Sequence, residues 1–140
     1  MQIENAQIPS AAQMQAALQR DDGTEIYMLN LLKFRDHAVY ADGRQSDLTG
    51  QQAYSIYGRA MTRMVMEAGG KLVYAGEVRG LLVGGGDAQW DQVAIMMYPS
   101  FKVMADITGS QAYSDIHVHR EAGLAGQVLI ETVKPQTVPR

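Results

Sequence analysis

A chain of 140 residues, 46% apolar and carrying a formal charge of −3, is sized for one domain with its own core. It has no cysteine, which excludes disulfides, thiolate chemistry and cysteine-ligated metal centres. Its 12 basic and 15 acidic residues are scattered, so no basic stripe is present for a nucleic-acid backbone, and no apolar run approaches the length that spans a bilayer.

The opening segment MQIENAQIPS lacks the positive and apolar regions of a signal peptide, so the expected location is the cytoplasm. From Ser10, a short helical pattern places Met14, Ala17 and Leu18 on one face, and Asp21-Asp22-Gly23 stops it. EIYMLNLLKF, residues 25–34, is apolar on both alternating faces: Ile26, Met28, Leu32 and Phe34 on one, Tyr27, Leu29 and Leu31 on the other. That pattern predicts a strand covered on both sides.

Residues 35–49 are polar, carry Asp42-Gly43 and read as a loop. Thr49 with Gln52 has capping-box spacing and opens a helix whose stripe is Tyr54, Tyr57, Met61, Met64, Val65 and Ala68. Arg59, Thr62, Arg63 and Glu67 fall opposite, and Gly69-Gly70 supply the stop. A strand KLVYAGEV extending to Val83, the turn Gly84-Gly85-Gly86-Asp87 and a strand from Trp90 to Tyr98 follow. Pro99-Ser100 starts a helix bearing Val103, Met104 and Ile107; Ser110 caps a short turn with Tyr113 and Ile116; the last strand is expected over 127–133.

After the leading helix the order is β-α-β-β-α-β, the ferredoxin-like split βαβ with two helices on one face of a four-stranded antiparallel sheet. The chain thus divides into a helical extension over 9–22, a core over 25–134 and a tail over 135–140, all within one α+β domain. Val93, Ile95 and Met97 alternate with Ala94, Met96 and Tyr98, so the third strand, like the first, is apolar on both faces. Two helices cover one face only. The other is a large apolar patch that a second copy can close, giving a homodimeric α/β barrel.

Five segments, MLNLLKFRD (28–36), TGQQAYSIYGR (49–59), GGKLVYAG (69–76), WDQVAIMMYPS (90–100) and AYSDIHVHREAG (112–123), occur together and in order. In them the chain resembles the bacterial family catalogued as domain of unknown function 1330. The resemblance implies a ferredoxin-like protomer in a dimeric α/β barrel, near the antibiotic-biosynthesis-monooxygenase and EthD-like proteins, and brings no established activity. It carries Asn30, Tyr54, Tyr57, Trp90, Tyr98-Pro99-Ser100, Tyr113 and His119-Arg120 onto this chain.

Asn30 lies mid-strand among Met28, Leu29, Leu31 and Leu32, where an unsatisfied amide costs about 1–3 kcal/mol. It either meets a ligand or satisfies neighbouring backbone. His117 and His119 flank Val118, but they follow a helical turn where residues two apart diverge, and no third ligand is evident, so no metal is expected. His119 and Arg120 instead cap a helix end or bind an anion; the guanidinium fork suits a carboxylate ligand, or an internal pair with Glu77 or Glu131. Tyr54 and Tyr57 share a core stripe and either pack there or turn one hydroxyl into a cavity, while Trp90 walls a pocket or covers a barrel end. The glycines at 84–86 lead into a strand, not a helix, so they are no phosphate loop.

Two functions remain open from sequence. One is a cofactor-independent oxygenase, isomerase or lyase acting on a small oxygenated metabolite. The other is a non-catalytic ligand-binding or structural homodimer. Candidate ligand-binding residues are Asn30, Tyr57, Trp90, His119 and Arg120, the expected ligand is a small organic acid or carbonyl compound, and no cofactor is expected.

Overall fold

The computed structural model describes residues 5–86 and 89–136, so Asp87 of the glycine turn and 137–140 of the tail lie outside the described residues. Eight elements follow in order: α1 (Ala11–Arg20), β1 (Ile26–Phe34), α2 (Gly50–Glu67), β2 (Lys71–Glu77), β3 (Gln92–Tyr98), α3 (Phe101–Thr108), α4 (Gln111–Gly123) and β4 (Leu124–Thr132). The strands form one antiparallel sheet in the order β2-β3-β1-β4, which is the ferredoxin-like arrangement.

The caps form as their spacing predicts. Thr49 accepts from the Gln52 amide while the Gln52 side chain returns to Thr49, and Ser10 with Gln13 does the same for α1. Gly69, at φ 93°, takes the left-handed conformation that ends α2. On α2 the buried positions are Gly50, Ala53, Tyr57, Met61 and Val65, while Tyr54 and Met64 are half-buried and Ala68 is exposed. Of these, Tyr57, Met61 and Val65 pack with Ile26, Met28, Tyr98 and Phe101 into the main core, to which α1 adds Ala17.

Helix α4 departs from expectation. In place of a short turn around Tyr113 and Ile116, it continues through His117 and Arg120 to Gly123. Its buried positions are Arg120, Ala122 and Gly123, so it has no stripe of large apolar residues to announce it. Small residues serve close packing here. A Cβ on Gly123 would overlap the Gly50 carbonyl, one on Gly50 would overlap the Arg35 backbone, and the Arg35 amide donates to the Gly123 carbonyl at 2.8 Å. The 35–49 connection is pinned across this junction by Tyr40, buried against Ala53 and Ala122.

Cross-strand partners share a face. Leu29 pairs with Ile95 and Ile130, Leu31 with Val93 and Val128, and Tyr74 with Ile95. These side chains are half-buried or exposed, and none joins the helix-side core clusters. The sheet therefore keeps one apolar face open. Among the described residues no helix is long and apolar enough to cross a membrane.

Candidate functional site: a tyrosine-lined cleft between the second helix and the sheet

Between the flank of α2 and the helix-side face of β1, β2 and β3 lies a cleft of about 600 Å³. β1 contributes Asn30, β3 contributes Gln92, Ala94, Met96 and Tyr98, and α2 contributes Tyr54, Tyr57 and Gly58. Gly58 leaves room on the α2 side. A Cβ there would meet nothing nearer than Tyr54 Cε1 at 3.9 Å, so the space beside the helix is free for a side chain the sequence does not supply.

Among the described residues Arg59 and Arg63 are the charged lining residues, both exposed at the helix flank, and no carboxylate lines the cleft. By pattern these arginines belong to a solvated helix face. They reach the cleft because it opens sideways from α2, past Gly58, and not directly beneath its buried stripe.

The tyrosines form a ladder. Ring centroids lie 5.4 Å apart for Phe34 and Tyr54, 5.3 Å for Tyr54 and Tyr57, and 6.0 Å for Tyr57 and Tyr113. Burial holds the Tyr54 phenol up at about 12, with the Arg120 charge opposing, and raises Tyr57 and Tyr98 well above the ordinary value. All three stay neutral near pH 7. Among the described residues the Tyr54 and Tyr98 hydroxyls make no protein hydrogen bond, yet no fully buried side-chain polar atom lacks a partner. These two hydroxyls are therefore not fully buried, and both residues line the cleft.

Asn30 is the polar centre of the floor. Its Nδ2 donates to the Met28 and Ala94 carbonyls at 3.2 and 3.3 Å, and its Oδ1 accepts from Gln127 Nε2 at 2.7 Å. Gln127 Oε1 in turn accepts from Arg120. Arg120 is 8% exposed; it also donates to the Gln7 carbonyl and meets His117 Nε2 at 3.3 Å. It pairs with neither Glu77 nor Glu131 among the described residues, and Glu131 is held by Arg20 at 3.0 Å. Asn30 and Arg120 thus meet through Gln127, a residue sequence reasoning did not single out. Its place opposite Leu32 in the β1–β4 register, two pairs along from Asn30 and so on the same face, is knowable only once the strands are aligned.

The other candidates lie elsewhere. Tyr57 lines the cleft; Arg120 stands behind its floor. His119 is in α4, where Nδ1 meets the Tyr40 hydroxyl at 2.7 Å, and burial, then the Arg44 charge, lowers its pKa. His117 is lowered by burial, then by Arg120, and meets Glu121 at 3.0 Å. Trp90 is half-buried just ahead of β3 and is not part of the cleft lining. Among the described residues, no group of three or more His, Asp or Glu side chains converges as a metal site would require.

Fold and cleft define a ferredoxin-like α+β protein with a lateral pocket on its helix side. The model of the domain of unknown function DUF1330 matches residues 38–133, and the chain belongs to that family. It is similar to a protein of unknown function from Rhodopseudomonas palustris, with 29% identity over 96% of this chain and 100% of that one, and a TM-score of 0.85. A methylated form of that protein gives 30% identity, 95% and 98% coverage and a TM-score of 0.84. A hydroxynitrile lyase from Passiflora edulis shares the fold at 10% identity and a TM-score of 0.55, covering 84% of this chain and 99% of that one. No curated protein matches.

Proposed function

We propose that this protein is a homodimer that binds a small organic acid with an apolar or aromatic body in the α2 cleft. The carrying observation is a cleft of about 600 Å³ lined by Tyr54, Tyr57, Tyr98 and Asn30, with Arg59 and Arg63 as its charges and no carboxylate among the described residues. The guanidinium groups suit a carboxylate, and the rings suit a flat apolar body. Buried Arg120 adds positive potential, felt at Tyr54 and Tyr57. Binding is favoured over proton-transfer catalysis because the cleft's ionisable side chains are arginines and neutral phenols. Among the described residues no histidine or carboxylate, the side chains that most often serve as general base, lines the cleft.

Thermal-shift and calorimetric titration with aromatic carboxylates tests this. At least one acid should raise the unfolding temperature of the wild type. The shift should vanish in Arg59→Met/Arg63→Met and in Gly58→Leu, which fills the cleft, and persist in Lys102→Met, remote on α3. No response to any acid, or an unchanged response in Gly58→Leu, overturns the reading.

The homodimer rests on the open sheet face. Leu29, Leu31, Val93, Ile95, Val128 and Ile130 form a continuous apolar surface that the protomer's own helices leave uncovered. An isologous pairing of two such faces buries it and leaves each cleft on the outside of its own sheet.

A further inference from the structure

We infer that the cleft selects ligands carrying a hydrogen-bond donor, a hydroxyl in addition to the carboxylate, because Arg120 fixes Asn30 as an acceptor. This rests on the organic-acid reading above and adds to it which polar group the floor accepts.

The orientation of the Asn30 amide follows from groups that have no choice. A guanidinium only donates, so the Gln127 atom facing Arg120 must be its oxygen. The other end of that amide is then the NH₂ group, which lies 2.7 Å from Asn30. A donor there requires the Asn30 oxygen. Independently, the opposite end of Asn30 faces the Met28 and Ala94 carbonyls at 3.2 and 3.3 Å, and carbonyls only accept. Both ends of the relay demand the same arrangement.

A hydrogen-bond count then decides what a ligand meets. Both Nδ2 protons are committed to backbone carbonyls, so Asn30 has no donor left. Its Oδ1 has two lone pairs and, among the described residues, one partner, Gln127. A ligand carbonyl set against Asn30 would face an acceptor with no proton between them. A ligand hydroxyl would complete the set. Arg120 acts as a positioning residue here, through Gln127 and without reaching the cleft. Its other contacts, to the Gln7 carbonyl and His117, hold it in place.

Matched pairs of acids, equal in skeleton and charge, test the inference: mandelate against phenylglyoxylate, and 4-(1-hydroxyethyl)benzoate against 4-acetylbenzoate. They set the hydroxyl near to and far from the carboxylate. In at least one pair the hydroxyl member should bind wild type about tenfold more tightly, or about 1.4 kcal/mol. That preference should collapse towards unity in Asn30→Ala. It should also collapse in Gln127→Glu, where a group that only accepts faces Asn30, while the keto member still binds. Equal binding within both pairs overturns the inference and leaves the organic-acid reading standing; binding of neither pair overturns both. Neutron diffraction of the unliganded protein reads the amide without any ligand or variant. Deuterons on the Asn30 nitrogen aimed at Met28 and Ala94 support the assignment, and one aimed into the cleft overturns it.

Discussion

Gly58 is a glycine in mid-helix with room for a methyl group, its nearest prospective neighbour 3.9 Å away. Glycine there costs about 0.5–1 kcal/mol relative to alanine, so Gly58→Ala should raise the unfolding temperature by a few degrees in calorimetry. Gly123 is the converse: a Cβ would overlap backbone on α2, so Gly123→Ala should destabilise by about 1–3 kcal/mol in chemical denaturation. His117 supplies a pH dependence. Its pKa is lowered from 6.5 by burial and by Arg120, with Glu121 opposing, and the Tyr113 ring lies tilted against it at 5.3 Å. The unfolded chain therefore takes up a proton first as the pH falls, so stability declines from about 6.5 downward to the depressed folded value. Urea midpoints between pH 7.5 and 5 should show this decline, and His117→Gln should make it shallower, leaving the share of His119, whose pKa is lowered in the same direction.

At the scale of elements, α2 has one face for the fold and one flank for the cleft. Met61, 5% exposed in the core, should not tolerate Asp: a buried unpaired carboxylate costs several kcal/mol. Arg63→Asp should leave the denaturation midpoint within about 0.5 kcal/mol. Equal midpoints for the two would mean the helix is turned differently. Most of α2 was legible in sequence, from the Thr49–Gln52 box through Tyr57, Met61 and Val65 to Gly69. The same was true of β1, whose two apolar faces identified the central strand of the sheet. Helix α4 was not, because Ala122 and Gly123 pack by being small and a buried arginine stands where an apolar residue would be expected. In the cleft, Asn30 and Tyr57 were identifiable as a polar residue inside a strand and a hydroxyl on a core stripe. Arg59 and Arg63 were not, since the sequence pattern of a solvated face is the same whether or not a cleft opens beside it. Gln127 escaped notice because its role depends on strand register.

For the whole molecule, the open sheet face predicts the assembly. Sedimentation equilibrium at micromolar concentration should give twice the chain mass, and Ile95→Asp, on the open face between Leu29 and Tyr74, should give the chain mass with the helical circular dichroism intact. A wild type that sediments at the chain mass would refute the pairing. The sheet order also sets a schedule. The central strand β1 is made early, yet its neighbour β4 comes so late that paired residues Tyr27 and Thr132 stand 105 positions apart. On a ribosome, β1 emerges with both edges unpaired, acquires β3 only after the α2 and β2 segments have followed, and is completed by β4 last of all. Pairing over such separations is slow, and an unpaired apolar strand is prone to aggregate in the meantime. A chain stalled before residue 124 would present an apolar central strand with one open edge. Chaperones and proteases should therefore meet this protein mainly during its synthesis.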